Sequence, residues 1–224
     1  MKYLIHSCNS RLWYVKEYLI PSLIAQGIKG EDIILFNDDN NLGNLKGFLA
    51  SCEYLKEHFD EDTEVWHLQD DVIICRDFKK RAEAQYYEKV VCGFVNADFD
   101  KNFKDLKGRV VSKYIWCSFP CIKIPVKYTN EFLDWFEQKV MVEGKHRKKY
   151  DLNRYDDFFF IAYLKQLRKN EYVYQCDPCL VDHIDYLLGG SVTNSDVHKK
   201  TQYRAYHFAD TDLVEELQEE LVRR

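Results

Sequence analysis

The sequence predicts an α/β fold: one domain with a mostly parallel central sheet flanked by helices. Three observations predict it. Short apolar runs alternate with stretches of helical period from Met1 to Leu68. Each of the first three runs ends in a polar cluster, at His6 to Arg11, Asn37 to Asn41 and Gln69 to Asp71. In a parallel sheet such strand ends converge on one edge, where ligands sit. The chain has 224 residues and is 46% hydrophobic, enough for one sizeable core and too apolar for global disorder.

Met1 to His6 reads as the first buried strand. Trp13 to Gln26 carries Trp13, Leu19, Ile20, Leu23 and Ile24 on one helical face, with a kink expected at Pro21 and a stop at Gly27 and Gly30. Asp32 to Phe36 is the second strand, Leu42 to His58 a helix, and Glu64 to Leu68 the third strand. Asp77 to Lys89 then reads as helix, Val90 to Asn96 as strand and Asp98 to Gly108 as a charged loop. Arg109 to Pro125 is β-rich, Asn130 to Val142 helical and Lys145 to Lys149 a basic loop. Tyr155 to Arg168 reads as helix, Glu171 to Asp182 holds a strand, and a Glu-rich helix closes the chain. No linker divides the chain into separate domains.

Net charge is -5, against the basic face of a general nucleic-acid binder. No run approaches the roughly 18 apolar residues that span a bilayer, and Met1 to Ile5 is too short for a signal peptide, so a soluble cytoplasmic protein is expected. The eight cysteines then read as reduced core thiols, with a zinc site from Cys117/Cys121 and Cys176/Cys179 as the alternative. Aromatics are plentiful, with 16 Tyr, 14 Phe and 4 Trp; most fill core, while Tyr114, Trp116, Phe119 and Trp135 are candidates for a sugar-stacking shelf.

Four segments carry chemistry. Val65 to Val72 runs an apolar strand into Asp70 and Asp71, and hard divalent cations take such carboxylates together with ligand phosphates. A solvated turn or helix cap is the plain alternative. Asn41-Leu42-Gly43-Asn44 opens a helix; it is no EF-hand, because Leu42 stands where that loop wants Gly. Tyr155-Asp156-Asp157-Phe158 puts carboxylates at a helix start, where they cap or act as a base. Leu180 to His183 ends a late strand ahead of Gly189-Gly190-Ser191.

In this order the segments resemble the motifs of nucleotide-sugar glycosyltransferases of the GT-A fold, which is Rossmann-like, with a GT2-like Asp-x-Asp-type motif at Gln69-Asp70-Asp71. Gln69 stands where the family often has an acid. The resemblance covers residues 1 to 210, with 211 to 224 as a C-terminal helix. It implies that Asp71 and His183 hold Mn²⁺ or Mg²⁺, and the imidazole suits Mn²⁺ better. It implies that Asp157, beside Asp156, is the general base of an inverting transfer. Ser7, Asn9, Arg11, Asp38, Asn41, Lys46, Gln69 and Asp70 would face the donor nucleotide sugar, a UDP-sugar first. Ser191, Lys199, Lys200 and Arg204 would close over its diphosphate.

The implied acceptor is a saccharide, a lipid-linked glycan or a modified nucleic-acid base; the run Lys145-His146-Arg147-Lys148-Lys149 would meet the phosphates of the last two. A sugar-phosphate nucleotidyltransferase is the competing enzyme, although His6 to Arg11 lacks the glycines of a triphosphate loop. A non-catalytic nucleotide-sugar-binding module is the third reading.

Overall fold

Strand β1 (Lys2–Cys8) lies inside the sheet because both its faces are apolar: Tyr3 and Ile5 enter one core cluster and Leu4 another. It pairs in parallel with β2 (Ile33–Asp38) on one side and β3 (Glu64–Gln69) on the other. The computed structural model describes residues 1–40, 42–85, 88, 90–94, 110–112, 119–146, 152, 156–167, 172–190 and 204–223. Helix α1 (12–25) carries the chain from β1 to β2, and α2 (Asn44–His58) from β2 to β3.

The sheet is completed by β5 (Val91–Cys92), β6 (Val110–Ser112), β7 (Cys121–Pro125) and β8 (Tyr172–Gln175), in the order β2-β1-β3-β7-β5-β8-β6. Only β6 and β7 run against the rest, so five of seven strands point one way, the mostly parallel sheet that the sequence predicts. The carboxyl ends of β1, β2 and β3 share one edge, with Cys8 beside Asp38 and His6 beside Gln69. A separate antiparallel ribbon joins β4 (Val72–Ile74) to β9 (Val181–His183).

One face of the sheet packs Trp66 and Leu68 with α1 and the C-terminal helix α6 (Thr211–Val222), which inserts Val214 and Leu217. The other face packs Ile122 and Ile124 with Phe48 of α2 and with α4 (Val126–Trp135) and α5 (Asp156–Leu167). Among the described residues no helix is long and apolar enough to cross a membrane.

Three elements differ from the sequence reading. α1 does not simply kink at Pro21: residues Val15–Leu19 form a π turn and Ile20–Ala25 resume as α-helix. Proline lacks an amide hydrogen and crowds the carbonyl four residues back, and a wider turn just before it relieves both. α4 starts at Val126 rather than Asn130, since the Val126 and Lys127 amides donate to Thr63 and Glu61 carbonyls at 2.9 and 3.0 Å. That loop replaces the side-chain cap that a sequence would advertise. The helix expected over 77–89 is shorter, α3 (Phe78–Glu83).

Gly93 closes the gap between sheet and ribbon. Its amide donates to Cys121 O at 2.9 Å and its carbonyl accepts from the Leu180 amide at 2.7 Å. A Cβ there would stand 2.5 Å from Cys121 Sγ and 3.3 Å from Trp66 Cζ3, both buried. Gly93→Ala is therefore expected to lower the free energy of unfolding by about 1–3 kcal/mol. Urea denaturation reads this directly; a variant with the parent midpoint contradicts the packing described.

Candidate active site

Asp71 lies two residues past the end of β3 and directly precedes β4. The ribbon pairs Val72 with His183, and the Ile184 amide donates to Asp71 O at 2.8 Å. Two residues far apart in the chain are thereby set side by side. His183 Nε2 lies 3.2 Å from Asp71 Oδ1, and on the other side of the ring Nδ1 lies 3.4 Å from Asp185 Oδ1. Burial opposes charge on His183, yet Asp71 and then Asp185 outweigh it and hold the imidazolium up to about 10. Burial likewise pushes Asp71 up, but His183 and Arg11 outweigh it and keep its carboxyl below the usual carboxylate range.

Asp70 is held apart from that pair. Its Oδ2 accepts the Cys8 amide at 2.9 Å, which ties the end of β3 to the end of β1. Burial, then the neighbouring Asp71 charge, pushes Asp70 up to about 7. Arg11 faces both acids from a nearly fully buried position, 2% exposed, and its Nη2 donates to Gly190 O. Its Nη1 is buried and takes no hydrogen-bond partner among the described residues.

The Asp71–His183 pair fits a divalent cation. Adjacent ligands with bonds of about 2.1 Å stand roughly 3.0 Å apart on an octahedron, close to the 3.2 Å observed. Asp71 Oδ1 is buried and, outside that contact, takes no hydrogen bond from a described residue. No third carboxylate, imidazole or thiol among the described residues joins them, so water and ligand phosphates would fill the remaining positions.

The other residues singled out in the sequence fall into distinct places. Ser7 is buried at the end of β1, its hydroxyl donating to Cys8 O at 3.3 Å. Asn9 is exposed and its Oδ1 accepts Asn37 Nδ2 at 2.7 Å. Asp38 spends both carboxylate oxygens on the Leu42 and Gly43 amides, at 2.9 and 3.0 Å, and so shapes the loop that opens α2. Gly43 there has φ +84°, a conformation that favours glycine. Lys46 is exposed on the first turn of α2, and the Gln69 amide donates to Pro120 O at 3.1 Å. Arg204 is engaged by the buried Asp182, with Nε and Nη2 each 2.6 Å from Oδ2, and its Nη1 donates to Tyr186 Oη at 2.9 Å. Asn41, Ser191, Lys199 and Lys200 lie outside the described residues.

Asp156 and Asp157 start α5. Each accepts the amide of the next residue, at 2.9 and 2.8 Å. Burial raises both carboxyls, Asp156 to about 6 and Asp157 well above the usual range, with Asp156's charge adding to the shift at Asp157. Among the described residues His183 pairs with Asp71 and Asp185, with no ion pair to Asp156 or Asp157. Their link to the strand ends is apolar: Phe160, one turn along, meets Phe48 and Phe119 with ring centroids 6.1 and 5.6 Å apart, and Phe48 meets His6 and His67.

Phe119 and Trp135 are not part of a sugar shelf. Both are core, 5% and 3% exposed, and Trp135 Nε1 donates to Gln166. Tyr114 and Trp116 lie outside the described residues. Cys121, Cys176 and Cys179 are buried free thiols, and Cys117 lies outside. The single group of three metal-capable side chains among the described residues is Cys75, Asp77 and Asp210. It suits a cation poorly: burial holds the Cys75 thiol up to about 12, and Asp210 already accepts the Arg76 amide and guanidinium. Of the basic run, Lys145 pairs with Glu143 at 2.9 Å, and Arg147 to Lys149 lie outside the described residues.

Sequence reasoning missed Asp182, Asp185 and a histidine pair, His67 buried and His6 half-buried. His6 Nε2 and His67 Nδ1 are 3.0 Å apart with rings stacked at 5.3 Å. The signal for the acids was the run Asp182-His183-Ile184-Asp185, a histidine bracketed by carboxylates.

No family model matches the chain, and no curated protein does. Solved structures match at low identity. The galactosyltransferase LgtC, in complex with donor and acceptor sugar analogs, is 9% identical over 78% of this chain and 73% of that one, at a TM-score of 0.44. An inositol-1-phosphate CTP transferase from T. maritima is 9% identical over 79% and 85%, at 0.41. HddC from Yersinia pseudotuberculosis, complexed with GMP-PN, is 10% identical over 78% and 89%, at 0.35. Likeness at this level assigns no reaction.

The histidine pair predicts a pH response. Burial keeps both imidazoles neutral, His6 down to about 4 and His67 well below its ordinary value of 6.5. The unfolded chain takes up these protons first, so this stability is present above about pH 6.5 and is lost as pH falls toward 4. The raised carboxyls of Asp70 and Asp156 act in the opposite sense, so the comparison needs a variant. His6→Phe/His67→Phe is expected to lose less stability than the parent between about pH 6.5 and 4.5. Equal losses in urea titrations would overturn the assignment.

Proposed function

We propose that the chain is a metal-dependent glycosyltransferase, of the GT2-like pattern, that moves a sugar from a nucleotide-diphosphate sugar to an acceptor hydroxyl with inversion. The observation that carries this reading is the Asp71–His183 contact of 3.2 Å. It lies just beyond the carboxyl end of β3, at the edge where β1 and β2 also end.

The nucleotide would lie over the ends of β1 and β2, against Ser7, Asn9 and the loop that Asp38 braces. Arg11 would offer its buried guanidinium to the diphosphate, since a desolvated cation with a spare donor favours an anion. Asp71 and His183 would hold Mn²⁺ or Mg²⁺. When bound, that cation would offset the charge developing on the departing nucleotide. Asp157 would take the acceptor hydroxyl's proton. Burial and the adjacent Asp156 make its carboxylate a stronger base than an exposed one. One displacement of this kind inverts the anomeric centre. Arg204 supports the site by holding Asp182 next to His183, and the diphosphate would have to compete with that carboxylate for it. Of the acceptors, a saccharide or lipid-linked glycan suits the net charge of -5 better than a nucleic acid. A cytoplasmic location is part of the proposal.

A thermal-shift panel of UDP-, GDP-, CMP- and TDP-sugars, with and without Mn²⁺, tests class and donor together. One nucleotide sugar should raise the melting temperature, and more so with metal, because it binds only the native state. No shift from any of them sinks the proposal. Asp71→Ala should keep the parent circular-dichroism spectrum and lose both metal-dependent stabilisation and transfer. Full activity of the purified variant removes the metal site.

Asp157→Asn separates the base from the binding residues. Donor binding should be retained while turnover falls more than about a hundredfold. Turnover near the parent rate rejects Asp157 as the base.

A further inference from the structure

We infer that Asp185 is a positioning residue for the metal pair: it accepts the Nδ1 proton of His183 and thereby presents the Nε2 lone pair to a cation shared with Asp71. The inference rests on the metal-dependent reading above and deepens it.

The geometry is a line of three groups. Asp185 Oδ1 lies 3.4 Å from His183 Nδ1, within ion-pair reach though outside hydrogen-bond geometry, and on the far side of the same ring Nε2 lies 3.2 Å from Asp71 Oδ1; such contacts tighten when the ligand binds. Without a cation the ring between two carboxylates is an imidazolium with a hydrogen on each nitrogen; a bound cation must displace one of them, and the neutral ring then keeps its hydrogen on the other nitrogen. A hydrogen on Nε2 would point at Asp71 and block the cation. A carboxylate beside Nδ1 selects the other tautomer, the arrangement that orients metal-binding histidines generally.

The surroundings hold each member in place. The His183 backbone is fixed by its pairing with Val72 and by its amide, which donates to Asp182 Oδ1 at 2.9 Å. Asp185 begins a tight 3₁₀ turn, Asp185–Leu188, closed by the Gly190 amide donating to Asp185 O at 2.8 Å. That closure uses the Asp185 main chain and leaves the side chain to face the histidine. The residue is 2% exposed, and a carboxylate is costly to bury without a partner of opposite charge or a donor. His183 supplies one. Phe94 lies against the same ring, 6.2 Å between centroids, and limits its rotation.

The experiment compares the parent, Asp71→Ala, Asp185→Asn and Asp185→Ala as full chains. Mn²⁺ affinity is read from the free-ion electron paramagnetic resonance signal, with and without UDP. The His183 tautomer is read from ¹⁵N shifts with Mg²⁺ present. Asp185→Ala should weaken Mn²⁺ roughly 10–100-fold and mix the tautomers. Asp185→Asn, which keeps the shape and one acceptor oxygen, should fall between and melt near the parent temperature in chelator. It carries the test should Asp185→Ala not fold. If Asp71→Ala abolishes Mn²⁺ binding while both Asp185 variants bind as the parent does with an unchanged tautomer, the positioning role is overturned and the metal reading survives. If the parent itself binds no Mn²⁺, with or without UDP, both fall.

Discussion

The site depends on the register of one short ribbon. β4 and β9 are three residues each, and their antiparallel pairing sets Val72 opposite His183. The hydrogen bond from the Ile184 amide to Asp71 O extends that register by one step, into the acidic turn itself. Side chains alternate faces along a strand, so a slip of one residue would send the His183 ring to the opposite face and away from Asp71. Nothing in β1, β2 or β3 could compensate, since neither member of the pair lies on those strands. Val72, Ile74, Val181 and Leu180 are all buried in the same core cluster, and their burial holds the register.

Charge compensation is the second constraint. Asp70, Asp71, Asp182, Asp185, Arg11 and His183 lie close together, largely shielded from solvent, and each acid there has a partner, Asp185 sharing His183 with Asp71. Asp70 has the Cys8 amide, Asp71 has His183, and Asp182 has Arg204 together with the His183 and Ala205 amides. Such a network adds little net stability compared with apolar packing, but removing one member leaves a buried charge worth about 3–5 kcal/mol. The exposed cluster of Arg76 with Asp210 and Asp212 is the contrast: its geometry is good, yet water and salt screen exposed pairs, so they contribute little. Buried, perturbed charges concentrate at functional sites, and that tendency supports the proposed role.

Much of this was legible in the sequence. An apolar run ending in Asp70-Asp71 marks a strand end, and the alternation of runs and helices marks a parallel sheet, because both follow from local periodicity. His183 was legible as the end of a late strand. Asp185 was not: its role comes from a 3₁₀ turn and a ring orientation, which no period encodes. The ribbon was not legible either, because β4 is too short to show alternation. The pairing of Arg204 with Asp182 was not legible, because it is a contact between segments. Phe119 and Trp135 read as shelf residues because an aromatic's burial is set by what packs on it. The Asn130 start of α4 failed for a similar reason, since Thr63 and Glu61 carbonyls cap that helix from outside.

The two halves of the proposed chemistry are held by different cores. Asp71 and His183 are flanked by Phe94, Val72 and Val181, which belong to the cluster beneath α1 and the C-terminal helix. Asp156 and Asp157 ride on α5, whose Phe159, Phe160 and Tyr163 belong to the cluster on the opposite face. What joins α5 to the strands is Phe48, which touches Phe160 and Phe132 on one side and the His6–His67 pair on the other. His6 and His67 sit on β1 and β3, two residues or so before the acids and polar loops begin. A neutral, stacked imidazole pair at that position suits a dry aromatic bridge, because a charged one would demand water where Phe48 packs. The placement of Asp156 and Asp157 relative to β1 and β3 is thus set by side-chain packing, whereas the Asp71–His183 pair is set by backbone register. Substitutions at Phe48 should disturb the first relation and leave the second intact, because no backbone hydrogen bond of the ribbon passes through α2.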